Sequence, residues 1–267
     1  MNNCNDTESC NDIKDYGFVI LHIPHASLHI PESYRNTILL DDKQLSRELQ
    51  QMTDIFCDEL YNAPEFTNRL IAPVSRFVCD MERFRDDRFE ICAKKGQGLM
   101  YTKTSDGRRL RKYDETLRNQ ILAEFYDPHH KKFTTMAEEV LERYGKCLVI
   151  DCHSFPQKIS VPSKTIKPLA YADFDIGTDD YHTPAPLRDM LCEKIKEFGH
   201  TVKVNRPYAG AITPMKFYGK DKRVFSVMIE TNRQLYERNM KKSYGFVKTQ
   251  DICHTLMRCA ADFVEAL

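Results

Sequence analysis

Two histidines and a glutamate in this chain fall where apolar runs end. Gly17-Phe-Val-Ile-Leu-His-Ile23 reads as a buried strand stopped by Pro24, and His25 is the next residue. Cys147-Leu-Val-Ile-Asp151 is a second such run, followed by Cys152, His153, Ser154, Phe155 and Pro156, where a turn is expected. Val224-Phe-Ser-Val-Met-Ile229 is a third, and it closes on Glu230. A buried strand that delivers Asp and His at its carboxyl end is the usual address of an α/β active site. Taken alone, Asp151 and His153 fit two chemistries: half of a nucleophile relay in which Ser154 or Cys152 attacks, or one wall of a metal site. Two histidines and one carboxylate form the ligand set of a catalytic zinc that keeps a position open for water. A further glutamate outside that set can take the water's proton. A metal-dependent hydrolase is therefore the leading class.

Other chemically useful residues are ambiguous by themselves. His22, His25 and His29 have a spacing that would chelate a metal on a helix, but Pro24 and Pro31 indicate strand then loop, with His22 packed inside. Leu45, Leu49, Met52, Phe56 and Leu60 make one apolar stripe over residues 42–62. On one continuous helix Asp54 would lie opposite that stripe, in solvent; if Thr53 caps a second short helix, Asp54 turns elsewhere. Asp58 shares its face. Residues 68–79 read as strand material interrupted by proline, and with the residues just after them carry Arg76, Asp80 and Arg83. These form either a salt-bridged surface patch or an arginine clamp for a carboxylate. Residues 109–143 are helical, and Pro128 should break or kink them beside His129 and His130, of which at most one can face a site. Gly96 and Gly98 follow no strand, which argues against a phosphate-binding loop.

The elements that must position these residues alternate. Residues 157–183 read as a long functional loop, Pro184–Phe198 as a helix stopped by Gly199, Thr201–Asn205 as a strand and 247–266 as a closing helix. Alternating strands and helices imply an α/β fold with a mixed central β-sheet flanked by helices on both faces, the carboxyl ends gathered on one edge. The expected organisation is a loose tail over 1–14 and one domain over 15–267. Of the 267 residues, 42% are hydrophobic and 29% charged, and Lys+Arg and Asp+Glu both number 39. That balance steers the chain toward neither nucleic acid nor a membrane, and leaves small molecules or other subunits as partners. The ten cysteines include no Cys-x-x-Cys pair, the first residues form no signal peptide, and no apolar run reaches the ~18–20 residues of a membrane span. A reduced, cytoplasmic protein is expected.

Eight segments in order resemble the N-formylglutamate amidohydrolase family: PHASLHIP (24–31), TDIFCDELY (53–61), SRFVCDMERF (75–84), GQGLMYTKTSDGRRLR (96–111), YDPHHKKF (126–133), VIDCHSFP (149–156), VNRPYAGAITPMKFYG (204–219) and VFSVMIETNRQLY (224–236). The resemblance implies a phosphorylase/hydrolase-like, zinc-carboxypeptidase-like fold, one catalytic zinc, and a small N-acyl amino acid bearing a carboxylate as substrate. His25 matches the ligand of the family's Pro-His-Ser-Gly motif, and His153 the ligand of Asp-x-His-Ser. Asp54 falls on the second aspartate of Asp-Thr-Asp and is taken as the third ligand, with Asp58 and Glu32 as alternatives. Glu230 corresponds to the general base, Arg76 and Arg83 to grips for the substrate carboxylate, and His130 to a histidine of Tyr-x-Pro-Tyr-His. Asp151, two residues before a ligand, would orient His153. Two departures stand out. Ser27 replaces a glycine, and Glu82 replaces the asparagine of Asp-x-Asn-Arg, adding a negative charge beside the presumed anion clamp that opposes a glutamate-like substrate unless an arginine neutralises it. A zinc peptidase or deacylase with another substrate, and a catalytically silent binding protein of the same fold, are the rival readings.

Overall fold

A computed structural model describes residues 14–156, 171–237 and 244–267. The expected tail lies outside these residues except for Lys14, which pairs with Asp262 and Glu265 at 2.6 Å each. Six strands, β1 (Val19–Ile23), β2 (Asn68–Ile71), β3 (Cys147–Phe155), β4 (Phe174–Gly177), β5 (Val202–Val204) and β6 (Val224–Asn232), form one sheet in the order β2-β1-β3-β6-β4-β5. β2, β1, β3 and β6 run parallel, β4 is antiparallel to β6, and β5 is parallel to β4. The sheet is mixed, as expected. Every residue of β1 and β3 is buried, as in strands covered on both faces.

The helices are α1 (Glu32–Arg35), α2 (Asp42–Met52), α3 (Cys57–Leu60), α4 (Glu115–Ile121), α5 (Asp127–Tyr144), α6 (Ala185–Glu197) and α7 (Tyr244–Glu265). Phe133, Ala137 and Val140 of α5, Leu187 and Leu191 of α6, and Ile252, Leu256 and Ala260 of α7 join the strand residues in one apolar core. The larger of these side chains each contribute about 1.5–3 kcal/mol by leaving water. Among the described residues no helix is long and apolar enough to cross a membrane.

Four local expectations are corrected. β3 does not turn after Asp151 but continues to Phe155, because β6 pairs with it all the way from Cys147↔Val224 to Phe155↔Asn232. Backbone hydrogen bonds offered by a neighbouring strand outweigh the loop-like polarity of Cys152-His153-Ser154. Only Asn68–Ile71 of the 68–79 segment is strand, since the backbone turns at Ser75, whose carbonyl accepts from Val78 and Cys79. The helical run begins at Glu115 rather than at 109, where Asp114 caps it by accepting from Leu117 N–H, and the interruption expected beside Pro128 takes the form of a single π turn (Leu122–Tyr126), after which α5 begins with the proline in its first turn. The segment read as a loop over 157–183 contains β4, four residues too short and too polar to signal themselves; residues 157–170 lie outside the described ones.

The break between α2 and α3 matters most for function. Asp41 caps α2, accepting from Gln44 N–H at 2.8 Å in a reciprocal capping box. α2 stops at Met52, Thr53 is extended, and Phe56 takes a left-handed conformation (φ 61°) before α3. The buried guanidinium of Arg233, just past β6, clasps the end of α2 by donating to the carbonyls of Gln50 (2.7 Å), Gln51 (3.0 Å) and Thr53 (3.0 Å). Asp54 thus lies in neither a continuous helix nor a Thr53-capped one. It is turned inward and is only 4% exposed.

Candidate active site

The sheet register builds the floor of the site. His22 of β1, Asp151 of β3 and Met228 of β6 stand side by side, and one step further on so do His153, Glu230 and Asp175. Residues two apart on a strand share a face, so Asp151 and His153 project to the same side. His25 enters from the segment after β1, and its backbone carbonyl accepts the N–H of Asp54 at 3.0 Å. The Asp80–Arg83 turn packs against His25 and brings Glu82 and Arg83 to the same cleft.

Carboxylates hold both histidines. His25 Nε2 donates to Asp80 Oδ1 at 2.8 Å, leaving Nδ1 to face Glu82 Oε2 at 3.7 Å and Asp54 Oδ2 at 3.9 Å. His153 Nδ1 lies 3.1 Å from Asp54 Oδ2, while its Nε2 lies 3.0 Å from Glu82 Oε1 and 3.1 Å from Asp151 Oδ1. Asp151 also accepts from His22 Nδ1 at 2.9 Å and from Ile212 N–H at 3.2 Å. Glu230 differs from these: it is 5% exposed and its Oε2 has no hydrogen-bond partner among the described residues.

The electrostatics follow from burial and charge. Burial and the nearby Arg76 cation push the His25 imidazole down, against the pull of Asp80, so His25 is neutral with a free Nδ1 lone pair. Burial also opposes charge on His153, but Glu82 and Asp151 overcome it and hold its pKa well above the ordinary value. Glu230 is pushed well up by burial and by the negative charges of Asp54 and Glu82, against the pull of His153. Burial opposes the Asp80 anion too, yet Arg83, His25 and Arg76 keep its carboxyl well below the usual range. Asp54, Asp80, Glu82 and Asp151 outnumber Arg76 and Arg83, and the surplus of negative charge that holds a proton on His153 suits a metal cation equally.

The two arginines divide the work. Arg76 is engaged throughout, donating to Tyr101 Oη (3.0 Å), the Met52 carbonyl (3.2 Å) and Asp80 Oδ2 (2.9 Å). Arg83 Nε stands 3.4 Å from Asp80 Oδ2 without making a hydrogen bond, and the guanidinium lines a cleft of about 770 Å³. His153, Glu230 and Glu82 open onto the same cleft, as does His130, whose Nε2 donates to the Met81 carbonyl at 2.9 Å.

Comparison with known proteins identifies the family and the fold. The family model described as N-formylglutamate amidohydrolase matches residues 18–237. The chain belongs to the N-formylglutamate amidohydrolase family. It is 25% identical over 265 residues to an N-formylglutamate deformylase of Pseudomonas putida, covering 93% of this chain and 91% of that one. The fold is shared with the crystal structure of an N-formylglutamate amidohydrolase from Ralstonia eutropha JMP134, at a TM-score of 0.77 and 22% identity over 95% of both chains. A gene product of Agrobacterium tumefaciens matches at a TM-score of 0.67 and 21% identity, covering 93% of this chain and 92% of that one.

Within this member of the amidohydrolase family, His25, Asp54, Arg76, Arg83, His130, Asp151, His153 and Glu230 all line one cleft. The alternative third ligands, Asp58 and Glu32, do not line it, and Glu32 is exposed on α1. Ser27 bonds to the loop backbone, to the Pro73 carbonyl at 3.4 Å and from His29 N–H at 3.2 Å. The nucleophile relay has no support: burial raises the Cys152 thiol well above its ordinary pKa, and Ser154 Oγ makes no hydrogen bond to His153. Sequence reasoning noticed Asp80 only as a member of a charged patch and missed Tyr101, Tyr208 and Thr213. Asp175 holds the loop that carries Tyr208 by accepting from Arg206 and Tyr208 N–H at 3.1 and 3.0 Å. The buried Thr213 hydroxyl, in the same cleft, has no partner among the described residues. Asp-Met-Glu-Arg was the only sequence signal for the Asp80 hub, and it marked charge without direction.

Proposed function

We propose that this protein is a zinc-dependent amidohydrolase that cleaves the C–N amide bond of a small N-acyl amino acid, with N-formyl-L-glutamate as the reference substrate. The observation that carries this reading is Glu230: a buried carboxyl with one unpartnered oxygen, set beside His153 by the β3–β6 register, on the floor of an open cleft. Membership of the family and the named activity of the Pseudomonas putida relative support the substrate. A cytoplasmic setting is supported by the free thiols of the described cysteines, most of them buried.

The donor set fits a divalent ion. His25 Nδ1 has its other ring nitrogen bonded to Asp80, His153 is flanked by carboxylates, and a surplus of buried negative charge surrounds both. His25 and His153 would hold zinc together with a carboxylate, Asp54 in the assignment drawn from the family motif. When bound, zinc would polarise the acyl oxygen and lower the pKa of its water toward ~7. Glu230 takes the proton of the attacking water and passes it to the amine nitrogen as the C–N bond breaks, giving the free acid and the amino acid. Arg83 pairs with the substrate carboxylate and sets its distance from Glu230. Arg76, with each of its three nitrogens already bonded, braces Asp80 instead.

Dialysis against a chelator is expected to abolish turnover, and one equivalent of zinc per chain to restore it; a chelated, metal-free protein with full activity would sink the mechanism. Formyl and acetyl derivatives of glutamate, aspartate and histidine decide the substrate, with formyl-glutamate expected to give the highest kcat/KM. Arg83→Ala is expected to raise KM by about 10–100-fold at nearly constant kcat, the loss of a charge-assisted bond worth about 1.5–3 kcal/mol. An unchanged KM would move the carboxylate grip elsewhere in the cleft.

A further inference from the structure

We propose that Glu82 is itself a ligand of the metal, joining His25 and His153, and that Asp54 orients His153 rather than binding the ion. The proposal rests on the zinc reading above and changes the third ligand. Among the described residues, the side chains whose ligand-type atoms lie within 4.8 Å of one another are His25, Glu82 and His153. One carboxylate spans both rings, with Oε2 3.7 Å from His25 Nδ1 and Oε1 3.0 Å from His153 Nε2.

The remaining bonds sort the donors. His25 Nε2 is taken by Asp80, so Nδ1 is its metal-facing atom. Asp54 Oδ2 faces His153 Nδ1 and accepts the Ser154 N–H, both at 3.1 Å, so this oxygen is already engaged by two donors. Asp151 Oδ1 is also within 3.1 Å of His153 Nε2, but it accepts from His22, and its second oxygen accepts from Ile212 N–H. Each histidine then follows one rule: one ring nitrogen donates to an orienting carboxylate, Asp80 or Asp54, and the other binds the ion. Asp80 serves twice, because its Oδ1 also accepts the Glu82 N–H at 3.1 Å and so places the third ligand beside the first. Two imidazoles and one carboxylate leave a position for water. The arrangement also accounts for a carboxylate next to Arg83: the ion neutralises Glu82, which then does not oppose an anionic substrate.

Zinc affinity measured by competition with a chromophoric chelator tests this on the full-length wild type, Glu82→Gln and Asp54→Asn. Glu82→Gln is expected to weaken zinc binding by more than ~100-fold, and Asp54→Asn by no more than the ~10–100-fold typical of an orienting carboxylate. In cobalt-substituted protein, Glu82→Cys is expected to give a thiolate-to-cobalt charge-transfer band and Asp54→Cys none. The proposal is overturned if Glu82→Gln binds zinc like the wild type, or if the band appears only with Asp54→Cys. Should the cysteine variant not fold, the isosteric Glu82→Gln at a partly exposed side chain decides alone. A wild type that binds neither zinc nor cobalt would instead remove the zinc reading itself.

Discussion

Glu230→Gln is expected to lower kcat by about two to four orders of magnitude while zinc content and KM stay close to wild type. Glutamine keeps the shape of the side chain and the β6 backbone but cannot take a proton from water. The wild-type carboxyl is suited to that task because burial pushes its pKa above that of an ordinary glutamate, against the pull of His153. A stronger base takes the proton with more driving force, and here it stands in the register position next to His153. Steady-state kinetics on formyl-glutamate with elemental analysis of the same samples separates the outcomes. A fall in kcat of less than tenfold would mean that another group is the base. Loss of zinc together with activity would place Glu230 among the ligands. A silent binding protein would show no turnover in the wild type and no response to the substitution.

Much of the site was legible because the sheet announces itself. The apolar runs ending at His25, Asp151 and Glu230 are strand signals that need no tertiary context, and α6 and α7 follow from a clear apolar stripe. What stayed hidden depends on partners distant in sequence. The length of β3 is set by β6, whose paired residues lie 77 positions later, so a local reading stops it at the first polar residue. The inward turn of Asp54 depends on Arg233 clasping the end of α2 and on the left-handed Phe56, neither of which the helical stripe reveals. The position of Glu82 was hidden for the same reason: a charge next to arginines reads as part of a clamp until the fold brings two histidines against it. Residue types were readable; which ring nitrogen each carboxylate meets was not.

Asp80→Asn is expected to destabilise the metal-free protein by about 3–5 kcal/mol in urea unfolding at neutral pH, the usual cost of removing one partner from a buried charge network. The fully buried carboxylate accepts four hydrogen bonds: His25 Nε2 at 2.8 Å and Glu82 N–H at 3.1 Å on Oδ1, Arg76 Nη2 at 2.9 Å and Tyr101 Oη at 2.7 Å on Oδ2. Asparagine can accept on one side only, and its amide hydrogens would then face either the Arg76 guanidinium or the His25 N–H. Arg76 would be left buried without an anionic partner at Asp80, which costs more than the lost attraction alone. The pH dependence has a definite sign. The Asp80 pKa in the folded state lies well below the ~3.9 of an unfolded aspartate, so its stabilisation is complete above that value and is lost as pH falls toward the folded pKa. The gap between wild type and Asp80→Asn is therefore expected to be widest at neutral pH and to narrow in acid. A difference under about 1 kcal/mol at pH 7 would show that Arg76 and His25 are held by the rest of the cleft wall, and that Asp80 is a lesser support than its four bonds imply.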